Sequence, residues 1–222
     1  MFNFEYYAPT RVVFGRGVEE KTGKLLRELG VSRALIHYGG GSAVKSGLLD
    51  RVTACLDQAD IAHTSLGGVV PNPRLSKVRE GAKLAREFGA ELILAVGGGS
   101  VIDSSKAIGY AVAEPEHDVW EIYARQRVPK ACLPVACVLT IAAAGSEMSN
   151  SSVITNEDTG EKRGYRNNLC RLKLAIMNPE LTASLPPYQT AAGCTDILMH
   201  TLERYFTQGG NMELTDQIAE GL

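Results

Sequence analysis

Twice in this chain a short apolar run ends in Gly-Gly-Gly-Ser and gives way to a helical pattern, at Gly39–Ser42 and at Gly97–Ser100. The second unit is the sharper one. Glu91–Val96 reads as a buried strand, and from Ile102 to Val112 the residues have helical character. A strand feeding three glycines, a serine and a helix gathers unpaired backbone N–H groups and the positive end of a helix dipole at one point, which suits a phosphate. Glycine is required there because a Cβ would keep a diphosphate away from the backbone. The same glycines also suit a plain strand–helix turn. The spacing is neither GxGxxG nor GxxxxGK[ST].

The rest of the chain repeats the alternation. Arg11–Phe14 is a short β-rich run, and Val18–Leu29 places Val18, Thr22, Leu25, Leu26 and Leu29 at helical spacing. Ala34–Tyr38 is a buried strand, and a second helix carries Val44, Leu48, Leu49, Val52 and Leu56. Ile61–Leu66 is a weaker strand; Leu75, Val78, Ala82, Ala85 and Phe88 form an amphipathic helix closed by Gly89. Val135–Leu139 and Leu174–Met177 are further strands, with the polar stretch Asn150–Asn168 between them as a hairpin or flexible loop. Strands alternating with helical segments predict an α/β fold: a Rossmann-like parallel sheet flanked by helices. At Leu185-Pro186-Pro187 the texture changes to helix only, with Thr190, Cys194, Ile197, Leu198, Thr201 and Tyr205 spaced for a packed helix. A domain boundary falls there: residues 1–185 read as an α/β domain and 186–222 as helices without a second core of their own.

Composition narrows the function. A net charge of −2 gives no electrostatic case for nucleic acid or an anionic membrane. No run approaches ~18 apolar residues, so no membrane span is expected, and the first residues lack the pattern of a signal peptide. Five scattered cysteines without a CxxC pair suit a reduced, cytoplasmic protein. Cys132 and Cys137 read as core fillers.

Two details suggest ligands. No Asp or Glu stands between Tyr38 and Lys45, where dinucleotide folds commonly place the acid that holds a ribose 2′-hydroxyl. An uncharged pocket there leaves room for a 2′-phosphate, favouring NADP(H). Asp196 and His200 are four apart, so on a helix a carboxylate and an imidazole share one face and can converge on a divalent ion. Spacing alone equally suits an exposed helix-stabilising pair. His37, His63 and His117 read as structural or solvated.

The segments TRVVFGRG, YGGGSAVKSGLLDRV, VVPNPRLSKVREG, AVGGGSVIDSSKAIG, LTIAAAGSEMSNSSVITN, AIMNPELTASLPP and AAGCTDILMHTLERYF run in order across nearly the whole chain. Together they resemble the iron-containing (group III) alcohol dehydrogenases, in the butanol dehydrogenase branch. The resemblance makes residues 1–185 the dinucleotide-binding domain and 186–222 the first helices of an incomplete all-helical metal-binding domain. The resemblance implies hydride transfer between NADP(H) and an aldehyde or primary alcohol, with Fe²⁺ (or Zn²⁺ or Co²⁺) polarising the substrate oxygen. It implies that Gly98, Gly99, Ser100 and Asp103 hold the cofactor pyrophosphate, and that Gly40 and Ser42 lie at the adenosine 2′-phosphate. Thr140, Lys162 and Leu181 would line the nicotinamide-ribose side, and Asp196 and His200 would be the first two of four metal ligands, an Asp and three His. No histidine follows His200, so the other two are expected outside these residues. Asn178 stands where the family often has Asp, and Ala144 where many members have Thr. No catalytic residue is assigned, and a homo-oligomer is expected to be possible. The alternative is a cofactor-binding remnant that holds NADPH without turnover. A lyase of the dehydroquinate synthase type shares the glycine turn, but the butanol-dehydrogenase motifs argue against it.

Overall fold

The structure, a computed structural model, describes residues 3, 5–143, 145–208 and 213–222; Ala144 lies outside them. Its strands are β1 (Arg11–Phe14), β2 (Arg33–Gly39), β3 (Ala62–Val69), β4 (Leu92–Gly97), β5 (Val135–Leu139), β6 (Ser151–Asn156), β7 (Glu161–Arg166) and β8 (Leu174–Met177). Its helices are α1 (Thr22–Glu28), α2 (Ser42–Lys45), α3 (Leu48–Gln58), α4 (Leu75–Phe88), α5 (Gly99–Ala113), α6 (Trp120–Tyr123), α7 (Pro187–Tyr205) and α8 (Glu213–Gly221). Six strands form one sheet in the order β1-β8-β5-β4-β2-β3, every pair parallel. The remaining two, β6 and β7, form an antiparallel hairpin.

Both faces of the sheet are covered, which explains why its central strands read as continuous apolar runs. Along β4, Leu92, Leu94 and Val96 pack with Leu25, Leu26, Val52 and Leu56 of α1 and α3. The alternating Ile93 and Ala95 pack on the opposite face with Val78 and Ala82 of α4 and Ile102 and Ile108 of α5. The chain moves outward from β2 to β3, then returns past β2 and moves the other way through β4 and β5. The connections after β2 and β4 therefore leave the sheet in opposite directions. Open α/β sheets bind ligands in the crevice that such a switch opens at the carboxyl ends of the strands.

Several local expectations shift. The Val18–Leu29 helix begins as a 3-10 turn, Val18–Lys21, and becomes α-helical only at Thr22. The helix after β2 is broken into α2 and α3 by Gly47, whose φ of 67° no L side chain adopts readily. The weak third strand extends to Val69, because parallel pairing with β2 overrides its modest apolar character. Of the two readings of the polar stretch, the hairpin is the one found. Its alternating burial leaves Ser152, Ile154 and Asn156 inside, so polarity on the other face masked the strand.

Beyond Leu185 the described residues form only α7 and α8, and no residue of either helix is buried. Leu198, Met199, Ile218 and Leu222 are exposed. The apolar stripe read from the sequence exists, without a core of its own among the described residues.

The buried His37 on β2 ties three elements together. Its Nδ1 donates to the Leu66 carbonyl at 2.9 Å and its Nε2 accepts from the Ser104 hydroxyl at 2.9 Å. Burial pushes its pKa down to about 4. The unfolded chain, with a histidine near 6.5, binds the extra proton first. Stability from the neutral ring is thus complete above pH 6.5 and is lost as pH falls toward 4. The span corresponds to about 3 kcal/mol. Urea midpoints measured from pH 7 to pH 4 are expected to fall less steeply for His37→Asn than for the parent chain. Parallel slopes would refute this role.

Candidate cofactor crevice and metal pair

Gly98 opens α5 with no side chain capping the helix, so the first backbone N–H groups of a fifteen-residue helix face the crevice. The first α5 residue, Gly99, keeps that approach open: a Cβ there would have no neighbour nearer than 3.9 Å. A Cβ at Gly98, by contrast, would collide with the Ile141 side chain. Gly98 and Ile141 form a ridge shared by two cavities.

On one side lies a cavity of about 400 Å³ lined by Ser42, Ser46, Thr140, Leu181 and Leu185 among others. On the other lies one of about 440 Å³ that includes Gly99, Ser100, Asp103, Ser146 and Lys162. Eight of the nine residues that the sequence pointed to, all except Gly40, thus line one of two adjoining cavities. Their grouping differs from expectation. Thr140 and Leu181 follow β5 and β8 and share the cavity of Ser42, whereas Lys162 on β7 lies across the ridge. The loop after β2 turns at Gly41, φ 140°, immediately before Ser42. The carboxylate in that first cavity, Glu180, lies 3.5 Å from Arg16.

Pattern reading did not single out the group that shapes the second cavity. Lys106 is completely buried. Its Nζ donates to the carbonyls of Ser146 (2.7 Å), Ser149 (3.0 Å) and Ser151 (2.7 Å). Burial lowers its pKa, while the Asp103 charge acts the other way. Asp103, three residues earlier and so on the same side of α5, accepts the Ser146 hydroxyl at 2.5 Å and the Val153 N–H at 3.0 Å. Burial raises the Asp103 pKa, opposed by these bonds and by Lys106. The Asp103 carboxylate is therefore directed at the cavity wall, and Asp103 and Lys106 together pin residues 146–153 to α5. A lysine in the middle of a helix with apolar neighbours gave one clue: a cation inside a buried face needs partners.

The hairpin closes the same cavity. The Lys162 Nζ donates to Asn72 Oδ1 at 2.7 Å. The Glu157 carboxylate accepts the Leu75 N–H at 3.0 Å and also bonds Ser76, capping α4 from the hairpin. Asn178 explains its own departure from the family's Asp: its Nδ2 donates to the buried Glu19 carboxylate at 2.9 Å, where a second acid would be repelled.

On α7, Asp196 Oδ1 and His200 Nε2 lie 3.6 Å apart, each about half exposed. Gly193 stands on the same helix face, and its Cβ position is 3.5 Å from the Ala142 carbonyl. The pair thus occupies the side of α7 turned toward the loop whose next residue, Ala143, lines the second cavity. The oxygen and nitrogen donors fit two positions of a divalent-ion site. No group of three or more His, Cys, Asp or Glu that could hold a metal occurs among the described residues. His63 and His117 sit beside Asp57, Glu116 and Glu121.

A doubly wound parallel sheet with an uncapped glycine turn at its switch point defines a Rossmann-like nucleotide-binding fold. Residues 9–179 match the family model for iron-containing alcohol dehydrogenase, and the chain belongs to that family. It is 41% identical over 222 residues to NADH-dependent butanol dehydrogenase A of Clostridium acetobutylicum, covering 100% of this chain and 57% of that protein. To the NADPH-dependent aldehyde reductase YqhD of Escherichia coli it is 38% identical over 224 residues, again 57% of the relative. The crystal structure of NADH-dependent butanol dehydrogenase A from Thermotoga maritima superposes with a TM-score of 0.93 at 42% identity, covering 99% of this chain and 55% of that one. The chain spans little more than half the length of these relatives. No helix among the described residues is long and apolar enough to cross a membrane.

Proposed function

We propose that this chain carries the cofactor half of an NADP(H)-dependent oxidoreductase that interconverts an aldehyde and a primary alcohol. The observation that carries the reading is the Gly98–Ile141 ridge, an uncapped helix N-terminus with a cavity on each side. A dinucleotide has that shape: a diphosphate between two nucleosides. The N–H groups at Gly99 and Ser100 would hold the pyrophosphate. Adenosine would occupy the Ser42 cavity, against the apolar Leu181 and Leu185. The nicotinamide end would lie in the Lys162 cavity, with Lys106 and Asp103 keeping its wall in place.

Relatives named for NADH and for NADPH both occur, so the preference rests on this chain's own residues. Ser42 in place of a carboxylate favours the phosphorylated cofactor. Asp196 and His200 would supply two ligands to Fe²⁺, or to Zn²⁺ or Co²⁺, beside the Ala142–Ala143 loop. When bound, the nicotinamide supplies or accepts a hydride and the divalent ion polarises the substrate oxygen.

Ligand linkage tests the reading. NADPH is expected to raise the melting temperature of this chain more than NADH at equal concentration, and equal shifts would refute the cofactor assignment. With two metal donors among its described residues, the 222-residue chain alone is expected to bind NADPH yet reduce butanal negligibly with added Fe²⁺. Robust turnover would overturn that expectation.

A further inference from the structure

The adenosine cavity contains a cation whose guanidinium makes a single hydrogen bond among the described residues. Arg51 lines it together with Ser42 and Ser46. It is the fourth residue of α3, in the first turn, where the helix dipole disfavours positive charge. Its side chain folds back over Gly47, with Nη1 3.7 Å from the position a Cβ would take there. Among the described residues the guanidinium makes one hydrogen bond, Nη1 to the Ser46 carbonyl at 3.2 Å. Its Nη2 forms a long ion pair with the buried Glu19 carboxylate at 4.0 Å, beyond hydrogen-bonding reach, which leaves most of its N–H donors free. A guanidinium has five N–H donors in a fork that matches a phosphate. The cavity edge at Arg51 thus combines two hydroxyls and an underused fork, a combination that suits a dianion better than a ribose hydroxyl.

We propose that Arg51 recognises the 2′-phosphate of the cofactor and sets the preference for NADPH over NADH; this rests on the placement of adenosine in the Ser42 cavity. The segment from Tyr38 to Lys45 carries no carboxylate, and Glu180, the acid lining this cavity, is paired with Arg16 at 3.5 Å, so Arg51 can attract the phosphate. The bond is charge-assisted and half exposed, so its loss should weaken binding by roughly 10- to 100-fold.

The test is fluorescence titration of the full chain with NADPH and NADH, and calorimetric titration with adenosine 2′,5′-bisphosphate and 5′-AMP, for the parent, Arg51→Gln and Arg51→Lys. Arg51→Gln is expected to lose roughly tenfold or more for the two 2′-phosphorylated ligands and to hold NADH and 5′-AMP within about twofold. Arg51→Lys keeps the charge without the fork and should fall between parent and Arg51→Gln. Equal losses for phosphorylated and unphosphorylated ligands, or no loss for either, would overturn the role of Arg51 while leaving the crevice assignment intact. Failure of the parent chain to bind any of the four would overturn both. Melting curves of the ligand-free variants separate misfolding from lost recognition.

Discussion

Lys106→Met is expected to lower the stability of this chain by about 3–5 kcal/mol, the usual consequence of removing one partner from a buried charged cluster. Three carbonyls, from Ser146, Ser149 and Ser151, converge on the ammonium within 3.0 Å. Methionine fills comparable volume but donates nothing, so those carbonyls stay desolvated and unpaired. The Asp103 carboxylate simultaneously loses a neighbouring cation that favours its charged form. In a chain of this size the loss corresponds to a drop of roughly 10 °C in melting temperature. Segment 146–153 should be released first, visible as faster amide exchange at Val153, whose N–H is bonded to Asp103. Ser149→Ala removes a hydroxyl but keeps the carbonyl contact, and should cost far less. A melting point within two degrees of the parent for Lys106→Met would show that Lys106 does not hold the wall.

That cluster also marks the boundary of what the sequence disclosed. The β4 and β5 strands were legible because both faces of a parallel sheet are covered, leaving unbroken apolar runs such as Leu92–Val96. The glycine turn was legible because three glycines between a buried strand and a helix suit either a phosphate or a tight turn, and both readings place a strand–helix junction there. Lys106 was not, because pattern reading assigns lysine to solvent, and only the position of α5 against residues 146–151 shows where its charge goes. Arg51 was missed for the same reason: on α3 it reads as an ordinary exposed charge, and its approach to the Ser42 cavity depends on the Gly47 bend. The hairpin was one of two readings of Asn150–Asn168, and its polar face is what left the flexible loop open beside it. The grouping of Thr140 and Leu181 with Ser42 needed the strand order β8-β5-β4-β2, which one-dimensional spacing does not encode. The Asp196–His200 pair was visible by spacing, but its orientation toward Ala142 follows from the Gly193 contact.

Gly98→Val is expected to reduce NADPH binding by at least 100-fold while the sheet stays folded. Even a Cβ at this position would run into Ile141, and valine adds two further methyl groups to the ridge between the cavities. Either Ile141 moves into a cavity or the β4–α5 turn withdraws, and both outcomes displace the N–H groups at Gly99 and Ser100. Overpacking of this kind costs about 1–3 kcal/mol of stability, less than the loss expected for Lys106→Met. The binding loss is larger because a diphosphate needs close approach to the backbone, and a shift near 1 Å breaks several charge-assisted bonds together. The comparison with Gly99→Ala sharpens the point. A Cβ at Gly99 meets only Ser146 Cβ, at 3.9 Å, so protein packing tolerates it. Any loss of NADPH affinity in Gly99→Ala must therefore come from obstruction of the ligand itself. If both variants bind NADPH like the parent, the dinucleotide does not cross this ridge, and the cofactor reading falls with it.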